Sequence, residues 1–276
     1  MKPEISVIVP CYNLADYLPE ALDSIATQTF QDWECIIVND GSTDSTGEVA
    51  ARYAASDPRF KFVETPNGGV IKARNLGVKS STGKYLLFLD ADDILMPEYM
   101  EKAMALFRAR PELKVVGGQA EVFGKGIPKS VRKTPPFSME RLIANNCIYV
   151  TSFVTREEFE RVGGFAEGLA AGWEDWDFWL SVLDDDSDAV ILDEAVFRYR
   201  LRKGSRNSSL SQEDKSALRR VLWERHKDLY GKYFFDPTLS GEYEKAQYYA
   251  QKYGRFPGVR LYRLLSYACR SILYRK

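Results

Sequence analysis

Apolar residues along this chain recur with two periods in alternation, and that alternation predicts the architecture of its first part. "ISVIVP" reads as a strand, and "DYLPEALDSIATQ" then places Leu18, Ala21, Leu22 and Ile25 on one helical stripe. "WECIIVND" is a second strand. The stretch "STDSTGEVAARYAA" that follows is a helix in which Ser45 and Glu48 have the spacing of a capping box. "FKFVE" and "VIKARNLGVKS" repeat the pair, as do "KYLLFLD" and "PEYMEKAMALFRAR", the last with Pro97 at the helix start. Strands alternating with helices of this length imply right-handed crossovers and a parallel sheet covered on both faces. The runs "CIIV" and "LLFL" are apolar throughout, as strands buried on both sides should be.

Beyond Pro111 the pattern loosens. "LKVVGGQAEVFGKG" gives one or two strands, "MERLIANN" a short helix, "EEFERVGGF" a helix ending at Gly163, and "EDWDFWLSVLDD" another helix. "DAVILDEAVFRYRLR" supplies two more strands, and from Ser211 onward the pattern is helical. The expected class is therefore α/β, a mostly parallel, Rossmann-like sheet flanked by helices. The expected division is a domain over 1–210, with halves 1–110 and 111–210, and a helical extension over 211–276. A separately folded tail after Ser211 is the alternative, resting on a shift in composition alone.

The length of 276 residues suffices for one good core with a small appendage, and a hydrophobic fraction of 45% excludes a disordered or fibrous chain. The net charge of −1 gives no global reason to expect nucleic acid. The opening "MKPEISVIVP" carries no charged-then-apolar leader, and no run approaches the ~18 apolar residues of a spanning helix, so the expected location is the cytoplasm. Cys11, Cys35, Cys147 and Cys269 lie far apart, as reduced and mostly buried thiols do.

In an open parallel sheet, ligands bind beyond the carboxyl ends of the strands. The segments there are "PCYN" (Pro10 to Asn13), "NDGSTD" (Asn39 to Asp44), "TPNGG" (Thr65 to Gly69) and "DADD" (Asp90 to Asp93). Tyr12 offers a flat face for stacking, Asp40 an acceptor for a ring imide N–H such as that of uracil, and Gly68 and Gly69 allow close backbone approach. No G-x-G-x-x-G follows the first strand, which argues against a dinucleotide site. Asp90 and Asp92 suit a hard divalent cation, Mg²⁺ or Mn²⁺, that takes its other oxygens from water and a diphosphate. Lys72 and Arg74 can add positive charge around the same diphosphate. The plainer account of "DADD" is a turn with Asp93 as a helix N-cap.

Five motifs in fixed order, "ISVIVPCYN", "IIVNDGSTD", "GGVIKARNLG", "YLLFLDADD" and "GGFAEGLAAGWEDWDFWL", resemble those of the family 2 glycosyltransferases of GT-A fold. The resemblance covers Ile5 to Leu180 and continues weakly to Ser209. It implies an inverting transfer of sugar from a nucleoside diphosphate donor, with uridine favoured, to a hydroxyl of a glycan or lipid-linked oligosaccharide, as in bacterial surface polysaccharide synthesis. It implies donor contacts at Pro10, Tyr12, Asn13, Asp40, Lys72, Arg74, Asp90, Ala91 and Arg202, and a metal held by Asp92 with Asp90. In "WEDWD" it makes Asp175 the base, with Glu174 as its catalytic-site neighbour that binds acceptor or donor sugar, and Trp173 and Trp176 facing the acceptor. The plainer account makes Glu174, Asp175 and Asp177 first-turn acids that complement the helix dipole and puts Trp176 and Trp179 in the core, an account accepted for Asp177 and Trp179.

One position departs from the family pattern. Arg202 stands where a histidine often completes the metal site, and arginine cannot ligate a cation. The sole histidine, His226, has helical spacing with Trp223 and Tyr230 and reads as a surface or packing residue. Lys203 and Arg206 are further candidates for neutralising the leaving phosphates. In the tail "VRLYRLLSYACRSILYRK", apolar and arginine-bearing faces separate at helical period, which suits either an anionic membrane surface or packing on the main domain. A non-catalytic nucleotide-sugar-binding module is the rival function. A nucleotidyltransferase is disfavoured because "PCYNLADY" is not a Gly-rich phosphate loop.

Overall fold

The fully apolar runs do become doubly covered strands. In the computed structural model, which describes residues 2–134, 136–169, 172–202 and 211–233, every residue of β1 (Ile5–Cys11), β2 (Trp33–Asp40) and β4 (Tyr85–Phe88) is buried. With β3 (Phe60–Thr65) they form a parallel half-sheet in the order β3-β2-β1-β4. Helices α1 (Leu18–Ala26), α2 (Thr46–Ser56) and α3 (Val70–Lys79) make the crossovers. Leu18, Ala21, Leu22 and Ile25 of α1 face the core, as their spacing predicts. On the opposite face α3 lies very close to the sheet. A Cβ on Gly77 would stand 2.4 Å from Ile8 Cγ2, so only glycine fits there.

The second half departs from the parallel pattern. β8 (Phe153–Thr155) runs antiparallel to β4, and β6 (Val115–Gly124) antiparallel to β8. β9 (Ala189–Arg200) then runs parallel to β6, and β5 (Ile94–Leu95) closes the order β3-β2-β1-β4-β8-β6-β9-β5. β7 (Ile127–Arg132) pairs with β6 alone, and all six of its residues are exposed. "DAVILDEAVFRYRLR" is thus one strand rather than two, with register shifts where β6 passes from Gly118 to Ala120. The remaining helices of this part are α4 (Tyr99–Ala109), α5 (Met139–Ala144), α6 (Arg156–Val162) and α7 (Glu174–Val182). Gly163 ends α6 in the left-handed conformation at φ 79°.

Only five residues, Leu89 to Asp93, join β4 in mid-sheet to β5 at the sheet's far edge. Four strand spacings amount to about 19 Å, nearly the full reach of so short a link when extended. This link is not extended, because Asp93 N donates to Asp90 O at 2.9 Å. The second half of the sheet must therefore curl until its edge returns to the end of β4. Hydrogen bonds fasten it there: Arg200 N donates to Asp93 Oδ1 (2.8 Å) and Arg200 Nε to Asp92 O (2.7 Å).

Two details differ from the sequence expectations. Ser45 makes no capping hydrogen bond; Asp44 instead accepts from Thr46 N (3.0 Å) and Ala15 N (3.2 Å). Asp93 does not cap α4, whose N-cap is Glu98, but is buried under β9. Compact packing runs on through α8 (Gln212–Arg225) to His226, one helix beyond the start of the extension expected at Ser211. A second unit begins at Lys227, and of it α9 (Lys227–Tyr233) is described. The amphipathic C-terminal tail, Cys269, Lys203 and Arg206 lie outside the described residues.

Candidate active site

Two cavities open at the carboxyl ends of the parallel strands, of about 500 Å³ and 380 Å³, and they meet at Asp90 and Tyr199. Pro10, Tyr12, Asp40, Gly68, Gly69, Ala91, Asp92 and Arg202 line the larger. Tyr12, 48% exposed, presents its ring to this space. Asp40 is buried, and its two oxygens accept from Gly68 N (2.7 Å) and Gly69 N (2.8 Å), so each oxygen keeps one lone pair for a ligand. Gly69 has φ 86°, which ties the glycine pair to this approach. Neither Asn13 nor Lys72 reaches the cavity. Asn13, at φ 53°, turns its Oδ1 onto Thr43 N (2.8 Å), and Lys72 is exposed on α3.

The smaller cavity is walled by the start of α7, the loop 145–151 and the ends of β7 and β9. Asp175 faces it, half-buried, with Trp176 N donating to Oδ1 (2.8 Å) and Asn146 Nδ2 to Oδ2 (3.0 Å). Burial and the neighbouring Glu174 charge raise its carboxyl to about 6, against the pull of Arg74 and the Trp176 amide. A carboxylate poised near neutrality suits proton abstraction. Trp173 lines the cavity in the left-handed conformation, φ 64°. Arg219 of α8 lies over both its ring and that of Trp176. Trp176 is not an acceptor contact but core: it is 2% exposed and donates Nε1 to Leu142 O (2.6 Å).

Arg74 lines the smaller cavity and holds Asp90, which lines both. It is 1% exposed, with Nη2 on Asp90 Oδ1 (2.8 Å) and Nη1 on Glu174 Oε1 (2.9 Å). The expected contact between Arg74 and a nucleotide is therefore replaced by a buried carboxylate–guanidinium–carboxylate bridge, with Glu174 as its other end. Asp177 is itself buried and is paired with Arg225 Nε (2.7 Å) and His226 Nε2 (2.8 Å), rather than serving a surface role at the helix start. His226 is thus a packing residue, and Trp179 is fully buried.

A model of the family described as Glycosyl transferase family 2 matches residues 6–156, more than half of the chain. The chain belongs to glycosyl transferase family 2. It is 32% identical over 220 residues to the uncharacterized glycosyltransferase EpsJ of Bacillus subtilis, covering 72% of this chain and 62% of that protein. It is 31% identical over 247 residues to glycosyltransferase GlyA of Streptococcus pneumoniae, covering 80% of this chain and 34% of GlyA. It is also 28% identical to B. subtilis TuaG, provisionally named for teichuronic acid biosynthesis, over 86% of this chain and 92% of TuaG. Among solved structures, S. aureus TarS 1–349 in complex with UDP-GlcNAc superposes with a TM-score of 0.66 at 27% identity, covering 82% of this chain and 66% of that one. The mannosyltransferase PcManGT of Pyrobaculum calidifontis, solved with GDP-Man and Mn²⁺, matches in fold at a TM-score of 0.59 and 20% identity, over 100% of this chain and 82% of that one. The GT-A arrangement expected from the sequence is the one observed.

In this family 2 glycosyltransferase, the "DADD" carboxylates are held by arginines. Arg202 Nε donates to Asp92 Oδ2 at 2.6 Å, in the place the sequence comparison gave to a ligating histidine. Burial and the Asp90 charge raise the Asp92 carboxyl, and Arg202 opposes them. Among the described residues no group of three or more His, Cys, Asp or Glu is placed to hold a metal ion. Asp90 and Asp92 both line the larger cavity, and hard carboxylates are the ligand type that a divalent ion takes beside water and a diphosphate. Among the described residues no helix is long and apolar enough to cross a membrane. Sequence reasoning missed the wall from Asn145 to Thr151, with Arg132, Thr134 and Tyr199. These residues carry no motif, and their convergence depends on the curl of the sheet.

Proposed function

We propose that this family 2 glycosyltransferase transfers a sugar, with inversion, from a nucleoside diphosphate donor to a hydroxyl of a glycan or lipid-linked acceptor. The observation that carries this is the meeting of the two cavities at Asp90, with Tyr12 and the amide-bound Asp40 on one side and a poised carboxylate on the other. Tyr12 stacks on the base and Asp40, fixed by the glycine amides, accepts from its imide N–H, which favours uridine. The donor sugar then lies beside Asp90, and the acceptor enters beside Trp173. Asp175 takes the proton from the acceptor hydroxyl as that oxygen attacks the anomeric carbon, and the bond to the diphosphate breaks on the opposite face. Arg202, at the mouth of the donor cavity, neutralises charge on the departing phosphates. Asp90 and Asp92 would hold Mn²⁺ or Mg²⁺, which when bound supplies further charge stabilisation to the diphosphate. The comparison with UDP-GlcNAc-bound TarS supports a nucleotide sugar as donor, and that with TuaG supports a place in surface polysaccharide synthesis.

The test is a thermal-shift screen of nucleoside diphosphate sugars with and without Mn²⁺, followed by a transfer assay on the stabilising donor and NMR of the product's anomeric configuration. Asp175→Asn is expected to lower kcat roughly 10²–10⁴-fold with donor affinity kept. Full transfer by that variant, or retention of configuration, overturns the proposal.

A further inference from the structure

Asp175 stands on the first turn of α7, and its own helix secures only one carboxylate oxygen, through Trp176 N–H on Oδ1. The other oxygen is held from outside. Asn146, in the loop after α5, donates Nδ2 to Asp175 Oδ2 at 3.0 Å. The orientation of that amide is fixed, because Asn146 Oδ1 accepts from Ile148 N (3.2 Å), which turns the NH₂ toward the carboxylate. The loop itself is anchored to α7 through Trp176 Nε1 and Leu142 O of α5. Asn146 thus offers the carboxylate a donor and no competing acceptor. A hydrogen bond from a neutral donor favours the ionised form.

We infer that Asn146 is a positioning residue for the reaction: it aims the Asp175 carboxylate into the smaller cavity and keeps it ionised to receive the acceptor's proton. This rests on the assignment of Asp175 as base. The other titratable groups facing the cavity are Glu174 on α7, Arg74 from α3, Asp90 and Asp93 from the β4–β5 link, Arg132 from β7, Cys147 and Tyr149 from the loop, and Tyr199 from β9. All are unchanged in the variants below, so a changed titration reports the lost amide.

The experiment uses the full chain. Carboxyl ¹³C NMR, with the Asp175 resonance assigned from Asp175→Asn, follows the titration of wild type and Asn146→Ala, and transfer is measured across the same pH range. Loss of a hydrogen bond to a charged group is expected to raise the Asp175 midpoint and the acid limb of kcat/KM by about one pH unit. At about pH 6 that is roughly a fivefold loss of kcat/KM, fading to little by about pH 8.5, with donor KM unchanged. Asn146→Ser, which keeps a donor in a smaller side chain, is expected to recover part of the low-pH rate and serves as the comparison if the alanine variant does not fold. A loss equal at every pH, with an unmoved NMR midpoint, overturns the inference and leaves Asp175 as base. Transfer surviving in Asp175→Asn removes both.

Discussion

Replacing Arg74 by methionine keeps much of the side-chain volume but removes the charge that binds Asp90 to Glu174. Glu174 is 4% exposed and loses its 2.9 Å partner at Nη1, while Asp90 loses its 2.8 Å partner at Nη2. The two losses are unequal. The Asp90 side chain is 34% exposed, so water screens much of its share, and the cost falls mainly on Glu174. Removing one partner of a buried pair typically costs about 3–5 kcal/mol, and the screening of Asp90 argues for the lower figure. At about 2–4 °C per kcal/mol for a unit of this size, about 3 kcal/mol lowers the melting temperature by roughly 6–12 °C. The assay is thermal unfolding of Arg74→Met, Glu174→Gln and the double variant at neutral pH. The double variant is expected to melt above Arg74→Met, because it no longer buries a carboxylate that has lost its guanidinium partner. A single variant melting within about 2 °C of wild type, or a double variant less stable still, refutes the bridge as a source of stability.

Two further predictions concern single arginine and aspartate contacts. Arg202→Ala removes the 2.6 Å pair on Asp92 and is expected to weaken donor binding about tenfold while tightening Mn²⁺ binding, both read by calorimetry; unchanged values for both count against a phosphate-neutralising role. For Asp177, burial would raise the carboxyl, but hydrogen bonds from His226 and Arg225 outweigh it and hold the group below the ordinary range. An acid so lowered adds stability above its unfolded value and loses it as pH falls through the folded one. The melting temperature of wild type should therefore fall more steeply than that of Asp177→Asn between about pH 5 and pH 2. Parallel curves would remove Asp177 from the account of acid sensitivity.

The parallel half was legible because burial on two faces writes itself into composition: "CIIV" and "LLFL" are apolar throughout, as strands covered on both sides should be. The αL glycine after α6 was legible for a similar reason, since Gly163 follows the last periodic residue. β5 and β8 were not, because two or three residues have no period, and their pairing is imposed by neighbours distant in sequence. Local spacing also misassigned partners. Ser45 and Glu48 have the interval of a capping box, yet Asp44 reaches the free amides first. "WEDWD" marked the right helix but did not tell its faces apart: Trp173 lines the cavity while Trp176 is buried three residues on. Arg74 was found as a charge near the site, but a sequence records no depth, and depth turned its fork from a ligand contact into a structural bridge. Asn146 had no signal at all, for an isolated asparagine in a loop resembles any other turn residue.

The five residues from Leu89 to Asp93 behave as a strap of fixed length. Surface loops elsewhere on this scaffold can grow without disturbing their anchors, but one residue added here would let β5 drift from β9, take Arg200 off Asp93 and part the two cavities. Diversification of the scaffold toward new sugars should therefore spare the number of residues in this segment and act on the far wall, where a change of side chain leaves the frame in register.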